Sequence, residues 1–177
     1  MPQTKHLKDR IFQINDDKEF NDLAIEIFHF QYEKNLLYQN FVKNLSISAT
    51  NITHYTQIPF LPVEFFKSHK IVTGDFSPQI SFSSSGTTGI TTSNHLVKDI
   101  SLYNNSFLKG FSHFFGDIDE FVILALLPSY LEREGSSLIF MVESLIEQSG
   151  KAESGFYLDE LNNLHDLLVQ LKNESKK

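Results

Sequence analysis

The chain has 177 residues, 41% of them hydrophobic, so at about 100 to 200 residues per domain it reads as one domain or a part of a larger one. Its 22 acidic residues against 15 basic ones leave a net charge of -7, which offers no long-range attraction to a polyanion and excludes nucleic acid as the expected partner. The absence of cysteine excludes a disulfide framework, a thiolate metal site and a cysteine nucleophile.

Lys5, Lys8 and Arg10 near the start are not followed by the apolar run of about 7 to 15 residues that a secretory signal requires. The longest apolar run, residues 121–128, falls far short of the about 20 residues of a membrane helix, so a cytoplasmic protein without a membrane span is expected. From residue 17 to 42 the apolar positions Phe20, Leu23, Ile27, Phe30, Leu37 and Phe41 recur mostly at three- and four-residue steps, which predicts one long helix or two joined ones. Polar and β-branched residues dominate 46–56, and the two prolines of Ile58-Pro59-Phe60-Leu61-Pro62 then favour an extended crossing. The chain thus divides into a helical amino-terminal segment, 1–57, and an α/β nucleotide-binding part, 58–177.

In that second part Gln79-Ile80-Ser81-Phe82-Ser83 alternates as a strand does and runs straight into Ser84-Ser85-Gly86-Thr87-Thr88-Gly89. Asp99 is a cap for a helix whose face holds Leu102, Tyr103, Phe107 and Phe111, ending near Gly116. Residues 121–127 are apolar on both faces, as in a central parallel strand, and Pro128 ends them. A helix from Ser136 or Ser137 stops at Gly150; a short Gly155-Phe156-Tyr157 piece and a helix from about Asp159 follow. Strand, helix, strand, helix implies a partial doubly wound, mostly parallel α/β sheet with flanking helices. The sheet is expected to be unfinished where the chain ends, and an open edge of that kind predicts a homodimer. The 17 phenylalanines read as core filler.

The candidate chemistry sits at residues 83–89, where seven small residues with two glycines place backbone N–H groups and hydroxyls around one point. Composition alone also fits a flexible surface loop. Its place at a strand end favours a phosphate cradle, because ligands gather at strand carboxyl ends. Neither the G-x-x-x-x-G-K-[ST] nor the G-x-G-x-x-G pattern is present, nor the Gly-x-Ser-x-Gly of a serine hydrolase. The seven histidines show no metal-ligand spacing, so no metal site is expected among the side chains; His95, six residues past Gly89, is the one nearest the loop. Asp117, Asp119 and Glu120 read as a solvated acidic loop.

Ser84-Ser85-Gly86-Thr87-Thr88-Gly89 resembles the [ST]-S-G-T-T-G signature of the adenylate-forming superfamily, the acyl-CoA synthetases and their relatives. Two further segments, Ile58-Pro59-Phe60-Leu61-Pro62-Val63-Glu64-Phe65-Phe66-Lys67 and Leu126-Leu127-Pro128-Ser129-Tyr130-Leu131-Glu132-Arg133, resemble the acyl-protein synthetase branch related to bacterial bioluminescence, with phenylacetate-CoA ligases as wider kin. The similarity runs from about Phe28 onward and spans the amino-terminal half of such a family member. The resemblance implies that Ser84, Ser85, Gly86, Thr87, Thr88 and Gly89 hold the phosphates of ATP, with Mg2+ accompanying the nucleotide. It also implies a substrate pocket at Ser129, Tyr130, Arg133 and His95; the alternative for Tyr130 and Arg133 is to cap the next helix and pair with Glu132 or Glu134. No catalytic residue is assigned. Where the superfamily pattern continues with a proline and a lysine, this chain has Thr91 and Thr92, and Lys98 is the nearest cation. The implied function is the amino-terminal part of an ATP-dependent enzyme that turns a carboxylic acid, a fatty acid above all, into an acyl-adenylate and passes the acyl group to a protein or to CoA. The alternative is a truncated, catalytically inactive scaffold of the same descent.

Overall fold

The computed structural model describes residues 2–84, 92–128 and 135–174. They form a mixed α/β structure of seven α-helices and two small sheets. The helical part comprises α1 (Pro2–Ile11), α2 (Asp17–Lys34) and α3 (Leu36–Asn44). Asp16 starts α2, its carboxylate accepting the Glu19 N–H at 2.7 Å. The apolar stripe that predicts one helix or two is interrupted at Asn35, whose backbone N–H closes α2 on Gln31 O while its side-chain oxygen accepts the Tyr38 N–H and opens α3. One residue therefore satisfies groups at two helix ends, and it is only 5% exposed.

Folding α3 back on α2 buries Phe28, Tyr38, Val42 and Ile52 as one cluster. Ile58 and Leu61, from the two-proline crossing, pack against it. Burying side chains of this size contributes about 1.5–3 kcal/mol each. The Tyr38 hydroxyl donates to Pro59 O at 2.9 Å, and burial pushes its pKa up to about 12, so it remains a neutral donor that pins the crossing.

The second part begins with the short α4 (Phe65–Ser68) and with β1 (Ile80–Ser83). β1 does not join a parallel layer. It pairs antiparallel with β2 (Asn94–Val97), register Ile80↔Val97 to Ser83↔Asn94, so the Ser/Thr/Gly stretch connects the strands of a hairpin. The helix expected after Asp99 is α5 (Ile100–Phe115), with the Asp99 carboxylate accepting the Ser101 N–H. Phe82 of β1, Tyr103 of α5 and Phe140 of α6 (Ser137–Ser149) form an aromatic triangle with ring centroids 5.3 to 6.1 Å apart. Ser136 caps α6, and Gly150 ends it at φ 61°.

Parallel pairing occurs between β3 (Leu124–Ala125) and β4 (Gly155–Phe156), with α6 as the crossover and α7 (Leu161–Asn173) following. The described strands are thus two separate two-stranded sheets, not one doubly wound layer. The run 121–127 reads as a long central strand because it is apolar throughout, yet Phe121 packs edge-on against Phe111 of α5 at 5.4 Å before the ladder begins. Apolar character here reports packing on a helix as much as pairing in a sheet. Among the described residues no helix is long and apolar enough to cross a membrane.

Two ion pairs hold α1 across the molecule: Arg10 with Glu26 of α2, and Lys8 with Asp99 at the start of α5. The Lys8 ammonium, then the Ser101 hydroxyl, lower the Asp99 pKa to about 2. An unfolded aspartate titrates near about 3.9, so the stabilisation is complete above about pH 4 and is lost as the pH falls through the folded value. Asp99→Asn keeps the cap and removes the charge. In urea titrations it should cost no more than about 1 kcal/mol at pH 7, given the pair's exposure, and the gap to wild type should close between about pH 4 and about pH 2.

Asn104 of α5 has a buried side-chain oxygen with no hydrogen-bond donor among the described residues. Asn104→Leu removes that unsatisfied acceptor and improves helix propensity. It should stabilise the fold by about 1 kcal/mol, a rise of roughly 2–4 °C in Tm by calorimetry.

Candidate functional site

The site is built outward from the open end of the β1–β2 hairpin. Ser84 N–H donates to Ser93 O at 3.0 Å, and Ser93 N–H donates to the Ser84 hydroxyl oxygen at 3.0 Å. This reciprocal pair closes the neck of the connection. Ser84, expected among the phosphate-holding residues, therefore has its amide committed within the hairpin, while its hydroxyl keeps a hydrogen to donate. Ser85, Gly86, Thr87, Thr88 and Gly89 lie outside the described residues, as do Ser129, Tyr130 and Arg133.

Successive residues of a strand direct their backbone groups to opposite sides. Ser84 bonds toward β2, and Ser83 N–H donates the other way, to Gly135 O at 2.8 Å. The chain leaving residues 129–134 thus rejoins the structure against β1, one residue from the neck of the loop. A single backbone hydrogen bond thus links the residue before the loop neck to the residue that follows 129–134.

Gly135 is the residue that sequence reading misses. Its φ is +80°, and a Cβ there would stand 3.1 Å from the Ser83 hydroxyl oxygen and 3.8 Å from Ser81 O. The signal that would have found it is a glycine immediately before the N-cap Ser136 and after a polar stretch.

His95 sits on β2 opposite Phe82, two residues from the neck, and its ring lies 5.6 Å from that of Phe66. Lys98, the nearest cation in sequence, lies beyond the far end of β2, four strand residues or about 13 Å from Asn94. Its ammonium is 5.6 Å from the Phe76 ring centroid. The described residues of the neck, Ser83, Ser84, Thr92, Ser93 and Asn94, are uncharged, and the amides of Ser83, Ser84 and Ser93 are already donated within the structure, so an anion near them would meet hydroxyls and no carboxylate. Among the described residues no group of three or more His, Asp or Glu side chains could hold a metal ion.

No family model, no curated protein and no solved structure matches the chain.

Gly135→Ala forces a side chain into a positive-φ position against Ser83. It should lower unfolding free energy by about 1–3 kcal/mol in urea titration, whereas Gly74→Ala, with a similar φ and open space around it, should show the backbone cost alone.

Proposed function

We propose that the chain is the amino-terminal part of an ATP-dependent acyl-activating enzyme, which forms an acyl-adenylate from a carboxylic acid, a fatty acid above all, and passes the acyl group to a protein or to CoA. The observation that supports this most is the junction of two motif-bearing segments: the Ser-Ser-Gly-Thr-Thr-Gly loop leaves the hairpin at Ser84, and the Leu126-to-Arg133 segment returns at Gly135, hydrogen-bonded to Ser83. In this reading residues 84–89 receive the ATP phosphates, Ser84 through its hydroxyl, Mg2+ arrives with the nucleotide, and Ser129, Tyr130, Arg133 and His95 border the acid. A carboxylate oxygen bonds to the α-phosphorus, the bond to the bridging oxygen breaks, and pyrophosphate leaves. Backbone donors placed around the phosphates stabilise the charge that develops on that leaving group.

A second reading, a catalytically silent scaffold of the same descent, is favoured by one observation. Thr91 and Thr92 occupy the positions of the usual proline and lysine, and Lys98 is held at the other end of β2. ATP–pyrophosphate exchange by the full-length protein with a panel of carboxylic acids separates the two. The enzyme reading expects exchange with at least one acid, reduced on the order of a hundredfold by Gly86→Val, which blocks close approach of phosphate to the loop backbone. Exchange absent for every acid, or untouched by the substitution, rejects it.

A further inference from the structure

Away from the hairpin, the helical part contains a cleft of about 440 Å³ between α2, α3 and the chain from Tyr55 to Ile71, within the range of small-molecule sites. Its walls are apolar, with Phe20, Ile27, Tyr55, Ile58, Phe60 and Phe66 among them. Three of these aromatics are exposed for such large rings, Phe60 at 76%, Phe20 at 44% and Tyr55 at 37%. Apolar rings left open around a concavity are the surface that an apolar occupant would cover.

Two side-chain amides line this cleft, and each has a hydrogen-bond donor left over. Asn35 is 95% buried, and the Tyr38 N–H fixes its side-chain oxygen as acceptor, so its amide nitrogen is the other branch. That nitrogen donates to nothing among the described residues. Gln31 accepts from the Thr73 hydroxyl, and its amide nitrogen likewise makes no hydrogen bond among the described residues. Neither nitrogen is sealed from solvent, so each is a donor that an occupant's acceptor could take over from water. The Tyr38 hydroxyl, also in the cleft, is already engaged with Pro59 O. No charged side chain lines the cleft. An ionised carboxylate would there lose its hydration without meeting a cation, whereas a neutral carbonyl would meet the donors it needs.

We propose that this cleft binds an uncharged amphiphile, an alkyl or aryl body ending in a ketone, ester or amide carbonyl, with Asn35 donating from its side-chain nitrogen to the carbonyl oxygen. The site is separate from the loop and stands or falls independently of the acyl-activation reading. Isothermal titration of the full chain with 2-nonanone and with nonanoate at pH 7 tests it. Saturable one-to-one binding of 2-nonanone is expected, with nonanoate at least about tenfold weaker. Asn35→Asp keeps the acceptor that caps α3 and deletes the donor; it should weaken 2-nonanone about five- to tenfold. Ala24→Phe, which fills the cleft from α2, should abolish binding of both compounds. Thermal melts establish that each variant is folded, and either one alone is sufficient for the comparison. The absence of saturable 2-nonanone binding, nonanoate binding as tightly as the ketone, or unchanged ketone affinity in either folded variant overturns the proposal.

Discussion

The backbone hydrogen bond from Ser83 to Gly135 is the constraint on which the candidate site depends. Its partners stand 52 positions apart in the chain, and the intervening residues make β2, α5 and β3 before returning. A connection of that length closes only at an entropic cost, which must be offset by packing elsewhere. The offset comes from packing such as the aromatic triangle of Phe82, Tyr103 and Phe140, which draws β1, α5 and α6 together. Gly135 then lets the returning chain approach β1 without a side chain between them.

Much of the helical architecture was legible because its signals are local. Asp99 and Ser136 cap where a short polar residue precedes an apolar periodicity, and Gly150 takes the left-handed conformation at the end of α6. The break at Asn35 was not, since Glu33, Lys34 and Asn35 interrupt the stripe no more than any polar face does. The break follows from a tertiary requirement, the burial of Tyr38 and Val42 against Phe28. β2 was missed for a related reason: Asn94 and His95 are exposed and polar, so the strand is defined by its partner and not by its own hydropathy.

The site divides along the same line. A motif such as Ser85-Gly86-Thr87-Thr88-Gly89 is contiguous and can be read as a string, and so can the segment through Ser129, Tyr130 and Arg133. The apolar cleft assembles from residues scattered between Phe20 and Ile71, each of which reads singly as core, and becomes a cavity only once α3 turns at Asn35. Ser84 shows the limit of string reading even within a motif, because its place in the signature says nothing of its amide being committed to Ser93.

Phe66 belongs to both regions: one face of its surroundings is the cleft, and its ring also meets His95 on the hairpin at 5.6 Å. An occupant that shifted this ring would alter the packing of β2 two residues from the loop neck. By thermodynamic linkage such an effect runs equally in both directions, so a molecule in the cleft and one at the loop would change each other's affinity by the same factor. A single aromatic side chain thus belongs both to the wall of the cleft and to the packing of the strand that leads to the loop.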